Sequence, residues 1–308
     1  MASTMNNGGA SSDRVKRMTD WLLGFGVLGL LLTLVAPLPP VALDLLLALN
    51  LSSAILILMT TMHVQESTEL STFPTILLFA TLFRLGLNVA STRLILSGGE
   101  AGNVIKSFGE YVTGDNLGVG LVVFLVLIVI QFVVITKGSG RVSEVAARFV
   151  LDAMPGKQMA IDADLNGGLI DSDEARSRRE KVSREAEFYG AMDGASKFVR
   201  GDAIAGIIIT GVNIIGGFAI AMLMHGWTAE QSISVFGMLS IGDGLVSQIP
   251  ALLISTAAGI IVSRASGDSN IAQDFKSQLL SKPHPLIITG SFLVILGLMP
   301  GLPLIPFW

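Results

Sequence analysis

The sequence predicts an all-α, polytopic helical membrane protein with a small helical cytoplasmic subdomain between its fourth and fifth spans. Three observations carry this. The 308 residues are 51% hydrophobic and only 14% charged, against about a quarter charged in soluble domains, and the mean hydropathy is +0.68. Apolar runs recur at lengths near the roughly 20 residues that cross a bilayer as helix. The charge is concentrated between Lys137 and Arg200, which hold 11 of the 20 Lys and Arg and 11 of the 24 Asp and Glu.

In chain order, residues 1–20 read as a cytoplasmic tail, small and polar until Arg14, Lys16 and Arg17. Residues 21–136 hold four spans: about Trp21–Ala36, Val41–Met62, Phe73–Ile95 and Leu117–Thr136. No small-residue cleavage site follows the first run, so it reads as an uncleaved span. Pro37, Pro39 and Pro40 separate the first two spans, and a loop from Ser97 to Asn116 separates the last two. Residues 201–308 give span five (Ala203–Met224), span six (Ile233–Val262), span seven (Leu286–Met299) and the start of an eighth, in which the sequence ends. Span six is interrupted by Gly242-Asp243-Gly244 and Pro250, a pattern that suggests a broken or re-entrant helix.

Orientation follows from the basic residues. With the N-terminus inside, segments 1–20, 63–72, 137–200 and 264–285 collect 17 of the 20 Lys and Arg, as the positive-inside rule requires. Within 137–200, Ser139 is positioned to cap a helix that Met154-Pro155-Gly156 ends near Ala153. A second helix fits Asp173–Gly190, with Ser172 as N-cap and Asp173 and Glu174 in its first turn. Glu174/Arg178, Arg176/Glu180 and Glu180/Arg184 are spaced for weak surface pairs.

The intramembrane ionisable residues are the candidate site. Arg84, Asn88 and Ser91 share one helical face, and an arginine near mid-bilayer costs at least ~2.5 kcal/mol. Arg84 is therefore expected to face protein or water, whereas Arg93, near a span end, can snorkel. Asp202 stands at the entry to span five with Gly206 and Asn213 on its face, and Asp243 lies between two glycines. Each carboxylate has two open readings. Burial can poise it to exchange a proton, or it can pair structurally with Arg84, Arg93, Lys197 or Arg200.

Other chemistries find little footing. Without cysteine there are no disulfides, thiol nucleophiles or Cys-ligated metals. Asp162-Ala-Asp164-Leu-Asn166-Gly167 approaches a calcium loop but has Asp173 where a bidentate Glu belongs, so a turn into a helix cap fits better. Pro155-Gly156-Lys157-Gln158 lacks the spacing of a phosphate-binding loop. His63, His225 and His284 are isolated, no nucleophile–base arrangement stands out, and a net charge of −4 leaves no nucleic-acid footprint. Neither an enzyme nor a cofactor is expected.

RVSEVAARFVLDAMPGKQMAIDAD (Arg141 to Asp164), NVASTRLIL (88–96) and FYGAMDGASKFVRGDAIAG (188–206) closely resemble the FHIPEP family, the export-gate proteins of type III secretion. The likeness covers the chain from about Trp21 onward. NVASTR and SKFVRGD (196–202) are more similar to the flagellar branch than to its virulence counterpart. The resemblance implies a bacterial inner-membrane protein with about eight spans and a C-terminal cytoplasmic domain that this sequence lacks. It also implies a nine-membered homo-oligomeric ring, FlhB and a FliP/FliQ/FliR-type core as partners, an ATPase complex, and export substrates and chaperones bound through the missing domain.

The resemblance further assigns coupling to the proton-motive force. Proton-coupling positions map onto Asp202, Asp243, Lys197, Arg84 and Arg93, and cytoplasmic coupling positions onto Arg141, Arg148 and Asp152. Two other classes fit the bare sequence. A stand-alone secondary transporter would also bury charges at mid-membrane but should show inverted repeats, which are not evident. A membrane scaffold would use the charged block only for docking.

Overall fold

The computed structural model describes residues 24, 26, 28, 29, 32–114, 116–264, 281 and 283–297. Most of the first span, the 264–285 loop and the start of the eighth span lie outside the described residues. The elements are α1 (Pro40–His63), a 3-10 turn (Ser67–Leu70), α2 (Phe73–Gly98), α3 (Gly102–Thr113), α4 (Leu117–Ile130), a π-helical turn (Gln131–Thr136), α5 (Lys137–Asn166), α6 (Ser172–Met224), α7 (Ala229–Ser263) and α8 (Pro283–Gly297). α1, α2, α6 and α7 are long and apolar enough to cross a membrane, and the pair α3 and α4, bent by 101°, counts as a fifth if taken as one broken span.

Local chemistry sets most boundaries. α1 begins with Pro40 at its first position, where a missing N–H is harmless. α2 ends on Gly99 at φ 64°, whose N–H bonds the Ile95 carbonyl, the left-handed cap that glycine takes without strain. Thr228 and Gln231 close a capping box at the start of α7, and the Asn116 side chain accepts from Gly118 and Val119 to open α4.

Four sequence expectations are corrected. The 97–116 loop contains α3, because Val104, Ile105, Phe108 and Val112 recur at helical spacing and pack on α7. Pro155 does not end its helix. It lies on the exposed side of α5, where the Leu151 carbonyl deprived of its bond faces solvent. The second soluble helix is capped by Asp171, whose Oδ1 accepts from Glu174 N at 2.7 Å, and it runs on without a break into span five as 53-residue α6. Finally, α7 is continuous through Gly242-Asp243-Gly244 and Pro250. Its glycines serve close packing: a Cβ on Gly242 would strike the Ile105 carbonyl, and one on Gly244 would sit 2.5 Å from the Phe124 ring.

Two apolar cores flank the middle of the bundle. One, near the charged end, joins Phe73, Leu77, Met192, Val199, Ile254 and Ile261. The other, toward the opposite end, joins Leu43, Leu87, Ile95, Ile105, Phe236 and Leu239. Thr81 and Arg84 on α2, Asp202, Thr210 and Asn213 on α6, and the half-buried Ser247 on α7 fall at the changeover between them.

At the charged end α5 packs antiparallel on α6. Ser196 donates to Ser143 at 2.9 Å, and Lys157–Glu185, Arg179–Asp162 and Arg178–Asp164 bridge the two helices. The D-x-D segment is thus the last turn of α5, with its carboxylates on arginines. Lys181 ties α6 to Glu66 in the α1–α2 connection at 2.9 Å, and that hydrogen bond and charge hold the Glu66 carboxyl below its usual range. At the other end Asp44 of α1 caps α3, accepting from Asn103 N at 2.9 Å and Val104 N at 3.0 Å. Asp44→Ala is expected to cost about 0.5–2 kcal/mol, read as a lower unfolding midpoint in detergent.

Candidate functional site

Arg84 is 2% exposed and Asp202 4%, and the two form an ion pair between α2 and α6. Each is forced inward by position. Arg84 falls on the α2 face that also carries Leu77, Thr81, Asn88 and Ser91, all buried. Asp202 falls on the α6 face that carries Val199, Ala203, Thr210 and Asn213. Neither charge is tolerable there alone. Desolvating an ion costs several kcal/mol, and only a close opposite charge with further hydrogen bonds offsets it. Arg84 Nη1 and Asp202 Oδ1 nevertheless have no protein hydrogen-bond partner. They border a cavity of about 10 Å³ lined by Asn88, Gln131, Gly206, Ser247 and Gln248, a volume that admits about one water.

Asp243 is also 4% exposed but is answered differently. The Asn213 side chain donates to its Oδ2 at 3.0 Å. Among the described residues it has no ion-pair partner. Asp202 thus sits in a pair with Arg84, whereas Asp243 is held by the neutral Asn213 amide.

The remaining sequence candidates lie elsewhere. Arg93 is exposed and donates from Nη1 to the Val35 carbonyl at 2.7 Å, tying α2 to the end of the preceding helical segment. Lys197 is exposed and pairs with Asp193 one turn back on α6 at 2.8 Å. Arg141, Arg148 and Asp152 share an exposed stripe of α5, with Arg148 3.7 Å from Glu144. None of the five reaches the buried pair.

The polar lining was less legible. Gln131 is the sole polar side chain between Leu117 and Ile135, a signal that marks it once each polar residue of an apolar run is examined. Ser247 and Gln248 are masked by the Pro250 break signal beside them.

A helical multi-pass membrane protein whose spans close around a buried ion pair and a second carboxylate is the class defined by this fold and site. Residues 30–308 match the FHIPEP family. The chain belongs to that family. It is 59% identical over 265 residues to the flagellar biosynthesis protein FlhA of Bacillus subtilis, covering 86% of this chain and 39% of the relative. It is 52% identical over 299 residues to FlhA of Escherichia coli, covering 94% and 43%, and 51% identical over 299 residues to FlhA of Salmonella typhimurium, again 94% and 43%. The chain thus spans about two fifths of the length of these relatives. No solved structure matches it.

Proposed function

We propose that this chain is the membrane region of a flagellar type III export gate that couples the proton-motive force to protein export. The observation that carries this reading is the Arg84–Asp202 pair, buried between two membrane helices, one of which continues out of the bundle as the soluble arm of α6. An ion pair that only tied the helices together could be replaced by apolar packing at no loss. A carboxylate that gains and loses a proton cannot.

Protonating Asp202 removes the counter-charge of Arg84 and weakens the join between α2 and α6. Because α6 is unbroken from Asp202 back to Ser172, a change in its seating is carried to α5, where Arg141, Arg148 and Asp152 face outward to meet partners. Asp243 is the second proton site of the cycle. In this reading the N-terminus and the 137–200 arm are cytoplasmic, the membrane is the bacterial inner membrane, and the chain works as a homo-nonameric ring beside FlhB and the FliP/FliQ/FliR-type core, with no cofactor and no catalysis of its own.

Asp202→Asn in the full-length protein tests the proposal. The amide oxygen still accepts from Arg84 but cannot exchange a proton, so secretion of flagellar proteins is expected to stop while membrane insertion and protein level stay at parental values. Parental secretion by this variant would refute proton coupling at Asp202.

A further inference from the structure

Lys137 and Arg200 mark one membrane surface on two neighbouring helices. The apolar run of α4 and the π-helical turn ends at Thr136, immediately before Lys137, and the apolar run of span five begins at Ala203, just after Arg200. The antiparallel packing of α5 on α6 brings these two ends level. Ser196 meets Ser143, and one turn nearer the membrane the Arg200 guanidinium lies against Gly140, where a Cβ would strike it. Gly140 is buried, and its missing side chain is the space in which the arginine is seated.

The charge at this corner is unbalanced. Arg200 Nε is buried with no hydrogen-bond partner, and among the described residues Arg200, Lys137 and Arg141 form no ion pair. Lys137 is exposed and lies 5.3 Å from the centre of the Phe132 ring, and Arg141 is exposed one turn farther out. At ~100° per residue from the contact line through Gly140 and Ser143, Lys137 and Arg141 share one flank of α5. In the antiparallel pair this is the flank on which Arg200 and Lys197 lie on α6. The acids of that flank are already taken, Glu144 by Arg148 at 3.7 Å and Asp193 by Lys197 at 2.8 Å. Farther along the arm, by contrast, Lys157, Arg178, Arg179 and Lys181 each bridge to a carboxylate on another element. A guanidinium N–H buried without an acceptor carries its full desolvation cost, so the corner is built for an anion from outside the chain.

Depth decides which anion. On the membrane side of the corner, Val133 of the π-helical turn and Ile204 and Ile208 of α6 are exposed, a surface that meets acyl chains in a bilayer. A molecule that offers phosphate oxygens to Arg200 and Lys137 and hydrocarbon to these residues is a phospholipid. A zwitterionic headgroup would bring its own ammonium into the cluster, whereas basic pockets between membrane helices suit an anionic one.

We propose that Arg200, Lys137 and Arg141 bind the phosphodiester of an anionic phospholipid, with Gly140 seating the arginine. The Arg200 fork donates to the phosphate oxygens, Lys137 reaches them from the start of α5, and Arg141 adds charge at the outer rim. An acyl chain runs down the Ile204 and Ile208 face. The bound headgroup ties the start of α5 to α6 beside the buried pair, and the site does not depend on proton exchange at Asp202.

Full-length protein in neutral detergent, titrated with phosphatidylglycerol or phosphatidylcholine and read by native mass spectrometry as lipid bound per chain, gives the test. Phosphatidylglycerol should bind saturably and at least ~10-fold tighter than phosphatidylcholine, and inorganic phosphate at the same concentration should not displace it. Arg200→Gln and Lys137→Gln are each expected to weaken phosphatidylglycerol ~10-fold, the loss of one charged hydrogen bond. Gly140→Ala should weaken it too, by dislodging the guanidinium with the charge unchanged. Lys137 is exposed, so its variant should keep the parental unfolding midpoint and separate lost binding from lost fold. Arg176→Gln, at an exposed arginine near the far tip of α6, should bind like the parent. Equal affinity for the two lipids overturns the proposal, as does parental affinity in both Arg200→Gln and Lys137→Gln. Displacement by inorganic phosphate would make this a free-anion site and not a lipid site. A loss in Arg176→Gln as large as in Lys137→Gln would reduce the binding to general attraction and overturn the site.

Discussion

Arg84→Ala is expected to destabilise the folded protein by about 3–5 kcal/mol, the penalty for leaving the other half of a buried ion pair uncompensated. Asp202 has no second cation to turn to, since its pair with Arg84 is its only ion pair among the described residues. The loss should appear as a marked fall in the thermal unfolding midpoint of purified protein. Arg84→Met combined with Asp202→Leu separates stability from coupling. With both charges gone, apolar packing should restore stability to within about 1 kcal/mol of the parent, while secretion stays absent because no proton site remains. Restored secretion in that double variant would mean that the pair only braces the bundle.

The second large effect concerns backbone rather than charge. Helices α3 and α7 touch through their main chains. A Cβ on Gly242 would strike the Ile105 carbonyl and lie 2.9 Å from Gly109 N, and a Cβ on Gly109 would lie 2.5 Å from the Met238 carbonyl. Flexible side chains can move aside, but carbonyls in two rigid helices cannot. Gly242→Ala should therefore cost at least the ~1–3 kcal/mol typical of overpacking and lift α3 from α7 one residue from Asp243. Gly259→Ala on the same helix meets nothing within 4 Å and should be neutral or stabilising by up to ~1 kcal/mol. The 308 residues lack cysteine, so a buried Ile105→Cys reports the separation. A membrane-impermeant thiol reagent should label it in the Gly242→Ala background and not in the parent background.

Periodicity and hydropathy made the long spans legible, because a bilayer imposes one length on every crossing helix. The Arg84, Asn88 and Ser91 face was legible for a related reason: an arginine inside an apolar run must turn toward protein. Its partner was not. Arg84, Arg93, Lys197 and Arg200 were equal candidates for Asp202 in the sequence, and only the register of α2 against α6 decides among them. Register is a property of packing, invisible to any single helix.

The local stop signals misled for a different reason. Pro155 and the Gly242-Asp243-Gly244 run break helices when nothing compensates. Here solvent takes up the Leu151 carbonyl in one case, and a neighbouring backbone fills the space that the glycines leave in the other. Asp171 displaced Ser172 as N-cap because its carboxylate reaches Glu174 N, a choice between adjacent good caps that local sequence leaves nearly balanced.

The uninterrupted course of α6 also has a mechanical consequence. From Asp202 back to Ser172 is a rigid arm of ~45 Å at ~1.5 Å per residue, pivoted where the buried pair sits. A tilt of ~5° at the pivot, well within what loosening one side-chain contact permits, sweeps the far tip through ~4 Å, about the width of a side chain. A sub-ångström rearrangement inside the membrane thus reaches the aqueous end amplified in distance and reduced in force. The Glu66–Lys181 bridge, about one third of the way from tip to pivot, is placed to limit the swing.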